Sequence, residues 1–134
     1  MKLIDILEAK RSNKTAWVIL FTPDKLILGK RAPNTNNPNL WNFFGGHIDD
    51  GETAAEAAVR ELREEIGMKA DPNELKAVAV IGDATYFSLK VQSTANAKTT
   101  DEVSKIKSFK LTDLPDNLHS KTENFFNHLD QLFA

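Results

Sequence analysis

The stretch from residue 46 to residue 68 constrains the fold of this chain more than any other, because it marks both ends of a helix. It reads GHIDDGETAAEAAVRELREEIGM. Thr53 and Glu56, three residues apart, form a capping-box pattern that predicts a helix start. Gly67 suits the left-handed residue that ends a helix. The stretch therefore predicts a helix of about four turns after a glycine-bounded loop.

Two faces of the predicted helix differ in chemistry. The first is apolar, with the spacing of a surface packed on a sheet, and it comprises Ala55, Val59, Leu62 and Ile66. The second is acidic, and it comprises Glu61, Glu64 and Glu65 with Ala54, Ala57 and Ala58 as small neighbours. We expect these alanines to leave room for a ligand beside the carboxylates.

Three carboxylates on one helix face repel one another, by roughly a few tenths of a kcal/mol per pair. One interpretation is a solvated acidic face that Arg60 and Arg63 partly balance. We expect both arginines to project to the other side of the helix, toward Glu56, and to neutralise the carboxylates poorly. Clustered carboxylate oxygens suit hard divalent cations, so the pattern favours a Mg²⁺ or Mn²⁺ site.

The spacing of the whole stretch resembles the signature of the Nudix hydrolase family. Gly46 is followed by five residues, Glu52, seven residues, and then by RELREEIGM from Arg60 onward. The resemblance implies an α/β/α sandwich and makes Glu61, Glu64 and Glu65 metal ligands. It also implies that the backbone carbonyl of Gly45 is a further metal ligand.

The resemblance assigns structural roles to four residues of the stretch. It implies an ion pair between Glu52 and Arg60 that fastens the loop to the helix, and it makes Gly46 and Gly67 structural glycines. Usual members read Trp-x-Phe-Pro-Gly-Gly, whereas this chain has Phe44 in the place of the proline. This difference leaves the stiffness of the loop undetermined, but it does not change the expected chemistry of the loop.

Composition limits the classes of protein to which the chain can belong. Its 134 residues fit one domain, residues 1–134, and its net charge of −2 with 27% charged residues shows no basic excess for long nucleic acid or a membrane surface. Cysteine is absent, which excludes disulfides and zinc–thiolate sites. With no signal-peptide pattern in residues 1–9 and no long apolar run, we expect a cytoplasmic protein. Its oligomeric state, monomer or homodimer, stays open.

The remaining segments predict a fold class. Strands are predicted at 16–21, 26–31, 40–44, 75–81, 85–91 and 106–111, with a loop at 32–39 and a mobile polar loop at 92–104. Ser120 and Glu123 form a second capping box, which opens a C-terminal helix with an apolar stripe of Phe125, Phe126, Leu129, Leu132 and Phe133. The pattern of Leu3, Ile4, Ile6 and Leu7 fits either a strand or a helical turn. This order indicates an α+β sandwich with a mixed sheet between helices.

The resemblance implies hydrolysis of a diphosphate linkage by a water molecule attacking in line. Metal ions held by Glu61, Glu64 and Glu65 would neutralise the phosphate oxygens, and a carboxylate must take the proton of the water. In the family this base is a glutamate of the helix or one from a later loop. Glu102 is the candidate in the 92–104 loop, and a solvated loop charge is its alternative interpretation.

The implied substrate is a nucleoside diphosphate linked to another group. Arg31 and Lys30 are candidates for phosphate binding, or else a solvated strand end. The candidates for stacking a base, or else core residues, are Trp41, Trp17, Phe43, Tyr86 and Phe87. The pattern leaves nucleoside triphosphates, ADP-ribose, dinucleoside polyphosphates and nucleotide sugars open.

Two functions other than hydrolysis share the expected fold. A nucleotide-sensing module without catalysis would tend to lose glutamates of the signature, and this chain retains them all. An isomerase of isoprenoid diphosphates would require a cysteine, and this chain has none. Both comparisons favour the hydrolase.

Overall fold

The computed structural model describes residues 14–132. Within this range the chain forms seven strands and two helices. In chain order they are β1 (Thr15–Phe21), β2 (Leu26–Arg31), β3 (Trp41–Asn42), β4 (Phe44–His47), α1 (Ala54–Ile66), β5 (Lys76–Ile81), β6 (Ala84–Lys90), β7 (Val103–Phe109) and α2 (Ser120–Leu132). Short 3₁₀ turns lie at Pro72–Glu74 and Leu111–Asp113.

Strand β1 is the centre of a mixed sheet. It pairs in parallel with β6 and antiparallel with both β2 and β4. Strand β2 pairs antiparallel with β3 and β7, and β5 forms a hairpin with β6. Because β4 pairs with residues 15–18 of β1 and leads into α1, the helix begins beside the first half of the central strand.

Side chains alternate along β1 between two hydrophobic cores. Ala16, Val18 and Leu20 belong to the core under α1. Trp17 belongs to the core under α2, where Phe125 is also buried. The sheet therefore lies between the two helices, which confirms the predicted α+β sandwich.

The segment that was predicted as one strand at 40–44 is two strands separated at Phe43. The glycine pair lies in the second of them, β4, and not in a loop as expected. Gly45 is opposite Trp17 in the ladder, and a Cβ atom on Gly45 would lie only 2.1 Å from the carbonyl oxygen of Ala16. The glycine therefore permits β4 to pack directly against the backbone of β1.

Two other boundaries differ from the prediction. Strand β7 begins at Val103, because Val103 pairs with Arg31, so the polar loop before it is shorter than expected. Helix α2 is capped by His119 and not by Ser120: the carbonyl oxygen of His119 accepts from Glu123 N, and its ring Nδ1 accepts from Lys121 N.

Some predictions fall outside the described residues. These are the pattern of Leu3, Ile4, Ile6 and Leu7 and the end of the C-terminal stripe, the side chain of Leu132 and Phe133. The rest of the stripe packs against the sheet as expected. Among residues 14–132, neither helix has the length and apolar character needed to cross a membrane.

Candidate active site

Helix α1 begins and ends where its sequence predicts. The side chain of Thr53 accepts from Glu56 N at 3.1 Å, and the Glu56 carboxylate accepts from Thr53 N at 2.9 Å. Gly67 follows the helix at φ +68°, with its N–H bonded to the carbonyl of Arg63. These caps fix the length of the helix that carries the acidic residues.

The face that α1 buries differs from the predicted one. Ala57 and Ala58 are completely buried beside Leu62 and Ile66, whereas Ala55 and Val59 are only half-buried. The small alanines let the helix approach the sheet closely, which turns the helix slightly and carries Glu65 inward. Ala57 and Ala58 therefore fill the core and do not line the open space beside the carboxylates, contrary to expectation.

Glu65 is a buried carboxylate, with only 4% of its surface exposed. Its Oε1 atom accepts a hydrogen bond from Gly45 N at 2.6 Å. Burial, followed by the nearby charge of Glu61, raises the pKa of Glu65 well above its usual range, and Glu102 acts in the same direction. The surroundings of Glu65 thus disfavour the charged form of its carboxyl group, although Gly45 N–H and Arg31 act in the opposite direction.

Glu61 lies against the second glycine of β4. A Cβ atom on Gly46 would be 2.8 Å from Oε1 of Glu61, so the absence of a side chain at residue 46 makes space for this carboxylate. Burial raises the pKa of Glu61, and Arg60 opposes that effect. Glu64, one turn away from Arg60, is exposed.

Arg60 joins the loop before α1 to the acidic face. Its Nε donates to Glu52 Oε2 at 2.7 Å and its Nη2 to the carbonyl oxygen of His47 at 3.0 Å, so the expected ion pair between loop and helix is present. Its Nη1 lies 3.1 Å from Glu61 Oε1 and 3.3 Å from Glu64 Oε2. The expectation that Arg60 points away from the carboxylates is therefore wrong, because one planar guanidinium serves both sides.

A cleft of about 510 Å³ brings the acidic residues together with basic ones. Its acidic lining consists of Asp49, Glu61, Glu64, Glu65 and Glu102. Its other polar lining includes Arg31, Thr35, Asn36, Asn37, His119 and Lys121. A cleft with both signs of charge can hold an anion and a cation side by side.

Glu102 lies directly before β7 and lines this cleft, although it is 37 residues beyond Glu65 in the chain. Its charge contributes to the raised pKa of both Glu61 and Glu65. The tertiary structure therefore places Glu102 in the same cleft as the glutamates of α1.

Two of the residues predicted to bind the substrate, Arg31 and Trp17, line the cleft. The Nε of Arg31 donates to the carbonyl oxygen of Asn36 at 2.6 Å. Lys30, the preceding residue of β2, is not part of the lining. Trp41 and Phe43 are 9% and 1% exposed and pack in the core under α2, which agrees with the alternative interpretation as core residues.

His119 and Lys121 belong to the site and were not identified from the sequence. His119 Nδ1 accepts from Lys121 N at 3.1 Å, and its Nε2 lies 3.4 Å from Asn37 Nδ2. Burial lowers the pKa of His119, as do the charges of Arg31 and Lys121. No spacing signal could have found this residue, because it meets Asn37 across 82 positions of sequence.

The carboxylate oxygens of the cleft are the type of ligand that hard divalent cations prefer. A buried carboxylate beside others of like charge gains stability from a cation in their midst. In the described part of the chain, however, no three acidic or imidazole side chains yet converge as a ready metal site. Glu61 and Glu64 point to Arg60, and Glu65 points to Gly45 N, so metal binding requires these side chains to rotate.

The family model for the NUDIX domain matches residues 11–129. This chain belongs to the Nudix family. The match extends far beyond the signature at residues 46–68 and includes α1, the seven strands described above and most of α2.

Curated Nudix relatives match about half of the chain. A CTP pyrophosphohydrolase of Escherichia coli (strain K12) is 34% identical over 74 residues, which are 55% of this chain and 48% of that protein. An RNA pyrophosphohydrolase of Erythrobacter litoralis (strain HTCC2594) is 39% identical over 48% of this chain and 39% of its own. An 8-oxo-dGTP diphosphatase of Proteus vulgaris is 32% identical over 47% of this chain and 56% of its own. The matches thus span about half the length of these relatives.

Solved Nudix structures share the fold over most of the chain. A MutT NUDIX hydrolase from Burkholderia pseudomallei superposes with a TM-score of 0.72 at 21% identity, covering 84% of this chain and 94% of that one. An Ap4A hydrolase from C. elegans superposes with a TM-score of 0.65 at 18% identity, covering 90% and 98%. At these identities the likeness establishes the fold.

Proposed function

We propose that this chain hydrolyses the diphosphate linkage of a nucleoside diphosphate joined to another group, with the help of a divalent cation. The observation that carries the proposal is the cleft in which Glu61, Glu64, Glu65 and Glu102 meet Arg31. Nudix enzymes generally use divalent cations. A cation-binding acidic wall beside an arginine suits a substrate whose reacting part is a chain of phosphates.

The proposed cation is Mg²⁺ or Mn²⁺, held by Glu61, Glu64, Glu65 and the backbone carbonyl of Gly45. When bound, it neutralises phosphate oxygens and makes water a better nucleophile. Gly45 N–H holds the Glu65 carboxylate at the cleft and Arg60 holds those of Glu61 and Glu64, and each carboxylate would turn from this partner to bind the cation.

A carboxylate of the cleft takes the proton from the attacking water. Glu102 is our candidate for this general base, and a glutamate of α1 is the alternative. Two observations support Glu102. It lines the same cleft as the glutamates of α1, and its charge acts on Glu61 and Glu65.

The basic part of the cleft is proposed to bind the rest of the substrate. Arg31 and Lys121 supply positive charge for phosphate oxygens, and the hydrogen bond to Asn36 holds the guanidinium of Arg31 in place. The neutral ring of His119 and the amide of Asn37 supply hydrogen bonds. Among the candidate substrates, nucleoside triphosphates should be tested first, because two relatives are named for CTP and 8-oxo-dGTP.

The proposal is tested by a phosphate-release screen in which a second enzyme frees phosphate from the products, pyrophosphatase for the triphosphates and a phosphomonoesterase for the other substrates. Nucleoside triphosphates, ADP-ribose, dinucleoside polyphosphates and nucleotide sugars are each incubated with Mg²⁺, with Mn²⁺ and with chelator. We expect hydrolysis of at least one class that stops in chelator. Nucleotide binding without hydrolysis in any of these conditions would contradict the proposal and indicate a sensing module.

The metal ligands are tested by Glu64→Gln and Glu65→Gln in the same assay. Each substitution should lower kcat by about a hundredfold or more, because each removes charge that stabilises the transition state. Glu123→Gln on the surface of α2, away from the cleft, is a matched control and should keep the parent's rate. A kcat within about tenfold of the parent for either Glu64→Gln or Glu65→Gln would show that the residue is not a metal ligand.

A further inference from the structure

The loop that precedes β7 donates hydrogen bonds to the last carbonyl groups of α1. Lys98 N donates to the carbonyl oxygen of Ile66 at 2.8 Å. Thr100 Oγ1 donates to the carbonyl oxygen of Glu65 at 2.7 Å. The last carbonyls of a helix have no partner within the helix, so these two bonds tie the loop to the turn that carries Glu65.

The same threonine also holds the main chain of Glu102. Thr100 Oγ1 accepts from Glu102 N at 3.3 Å, and Thr100 N donates to the carbonyl oxygen of Val103 at 3.0 Å. On its other side, the carbonyl oxygen of Glu102 accepts from Ala32 N at 2.9 Å. A single hydroxyl thus connects the main chain of Glu65 to the main chain of Glu102.

We infer that Thr100 is a positioning residue that sets Glu102 at a defined distance from the glutamates of α1. The inference rests on the proposed function. A general base acts only within hydrogen-bond reach of the water, and a displacement of about 1 Å can lower a rate by about a hundredfold. The side chain of Thr100 itself has no role in the reaction.

The test compares three single variants. Thr100→Val keeps the shape of the side chain and removes the hydroxyl, so we expect kcat to fall by about ten- to a hundredfold with KM within about twofold. Thr100→Ser keeps the hydroxyl and should retain kcat within about threefold. Thr99→Val is the matched control, because Thr99 is exposed and the described structure shows no hydrogen bond from its side chain. If Thr100→Val does not fold, Thr100→Ala removes the same hydroxyl with less volume.

A double variant separates positioning of Glu102 from a general effect on the helix. In the Glu102→Gln background, Thr100→Val should have little further effect on kcat, since both changes act through one group. An equal loss with and without the Glu102 carboxylate would overturn the inference. So would an unchanged kcat for Thr100→Val in an active parent.

Amide hydrogen exchange tests the same inference without any catalysis. Thr100→Val should speed exchange at Glu102 N by about tenfold or more, because its acceptor is gone. Thr99→Val should leave it unchanged. A parent that hydrolyses none of the nucleotides contradicts the proposed function, and unchanged exchange at Glu102 in Thr100→Val contradicts the positioning role.

Discussion

Among single residues of the site, Glu65 is the one whose charged carboxylate we expect to lower the stability of the fold most. Its carboxylate is buried with Gly45 N as a donor, and the charges of Glu61 and Glu102 lie nearby. Glu61, by contrast, is paired with Arg60 at 3.1 Å. An unneutralised buried charge lowers stability more than a paired one. The sequence predicted repulsion among all three glutamates of α1, and Glu65 is the most deeply buried of them in the structure.

Glu65→Gln is expected to melt higher than the parent in chelator. Glutamine keeps an oxygen acceptor for Gly45 N and removes the like-charge repulsion, which we expect to raise Tm by about 3 °C, or ~1 kcal/mol at this size. Glu61→Gln should raise Tm less, because it also weakens the contact with Arg60. Thermal melts of the three proteins in chelator measure both differences. A lower Tm for Glu65→Gln than for the parent would refute the assignment.

His119 makes the stability of the protein depend on pH. Burial lowers the pKa of its ring in the folded protein below the ordinary 6.5. The unfolded chain therefore takes up a proton more readily, and stability that is complete above pH 6.5 is lost as pH falls. His119→Asn retains a good capping side chain and does not titrate. Urea unfolding at pH 7.5 and pH 5 should show a larger loss for the parent, and equal losses would contradict this account.

At the scale of elements, strand β4 fixes where α1 begins. Gly45 allows the strand to lie against β1, and Gly46 makes room for the carboxylate of Glu61. The neighbour of Gly45 is backbone, which cannot move aside, whereas the neighbour of Gly46 is the end of a flexible side chain. Gly45 thus permits the pairing of β4 with β1, and Gly46 makes room for a carboxylate of the site.

Alanine at each glycine should separate these two roles. Gly45→Ala places a Cβ atom on the backbone of β1 and should destabilise the fold by about 1–3 kcal/mol or more. Gly46→Ala should cost less stability and yet lower activity, because it displaces Glu61. Urea unfolding and kcat measured on both variants test this order. Equal stability losses would show that the pairing of β4 tolerates a side chain at Gly45.

At the scale of the whole molecule, distant parts of the chain assemble the site. Helix α1 supplies three glutamates, Glu102 lies directly before β7, Arg31 lies at the end of β2, and His119 lies at the start of α2. These parts meet because all of them pack on or beside the central strand β1 or its neighbour β2. An intact cleft therefore requires the complete sheet.

A divalent cation should stabilise the whole fold by mass action. Mg²⁺ that binds the folded cleft and not the unfolded chain adds about 2.7 kcal/mol at a concentration of a hundred times Kd. We expect Tm of the parent to rise with Mg²⁺ and Tm of Glu65→Gln to rise less. Melts over a series of Mg²⁺ concentrations, with K⁺ at matched ionic strength as control, measure this. Equal shifts in both proteins would show that the ion binds elsewhere.

The local features of this protein can be predicted from residues that are close together in the sequence. The capping box at Thr53, the left-handed end at Gly67 and the acidic spacing of α1 depend on residues a few positions apart, so their chemistry is readable without the fold. The alternating and apolar runs similarly predicted most strands and the sandwich of sheet and helices. The Glu52–Arg60 ion pair followed from the resemblance, and the structure shows it.

Which distant residues face the cleft depends on the packing of the helices and strands. The burial of Ala57 and Ala58, the bonds from Arg60 to Glu61 and Glu64, and the exclusion of Trp41 from the cleft depend on how α1 and α2 pack on the sheet. Helical periodicity indicates that some face is buried, but an interface formed by other segments sets its exact rotation. His119 and Thr100 likewise acquire their contacts through residues 82 and 35 positions away, and no local pattern encodes such a meeting.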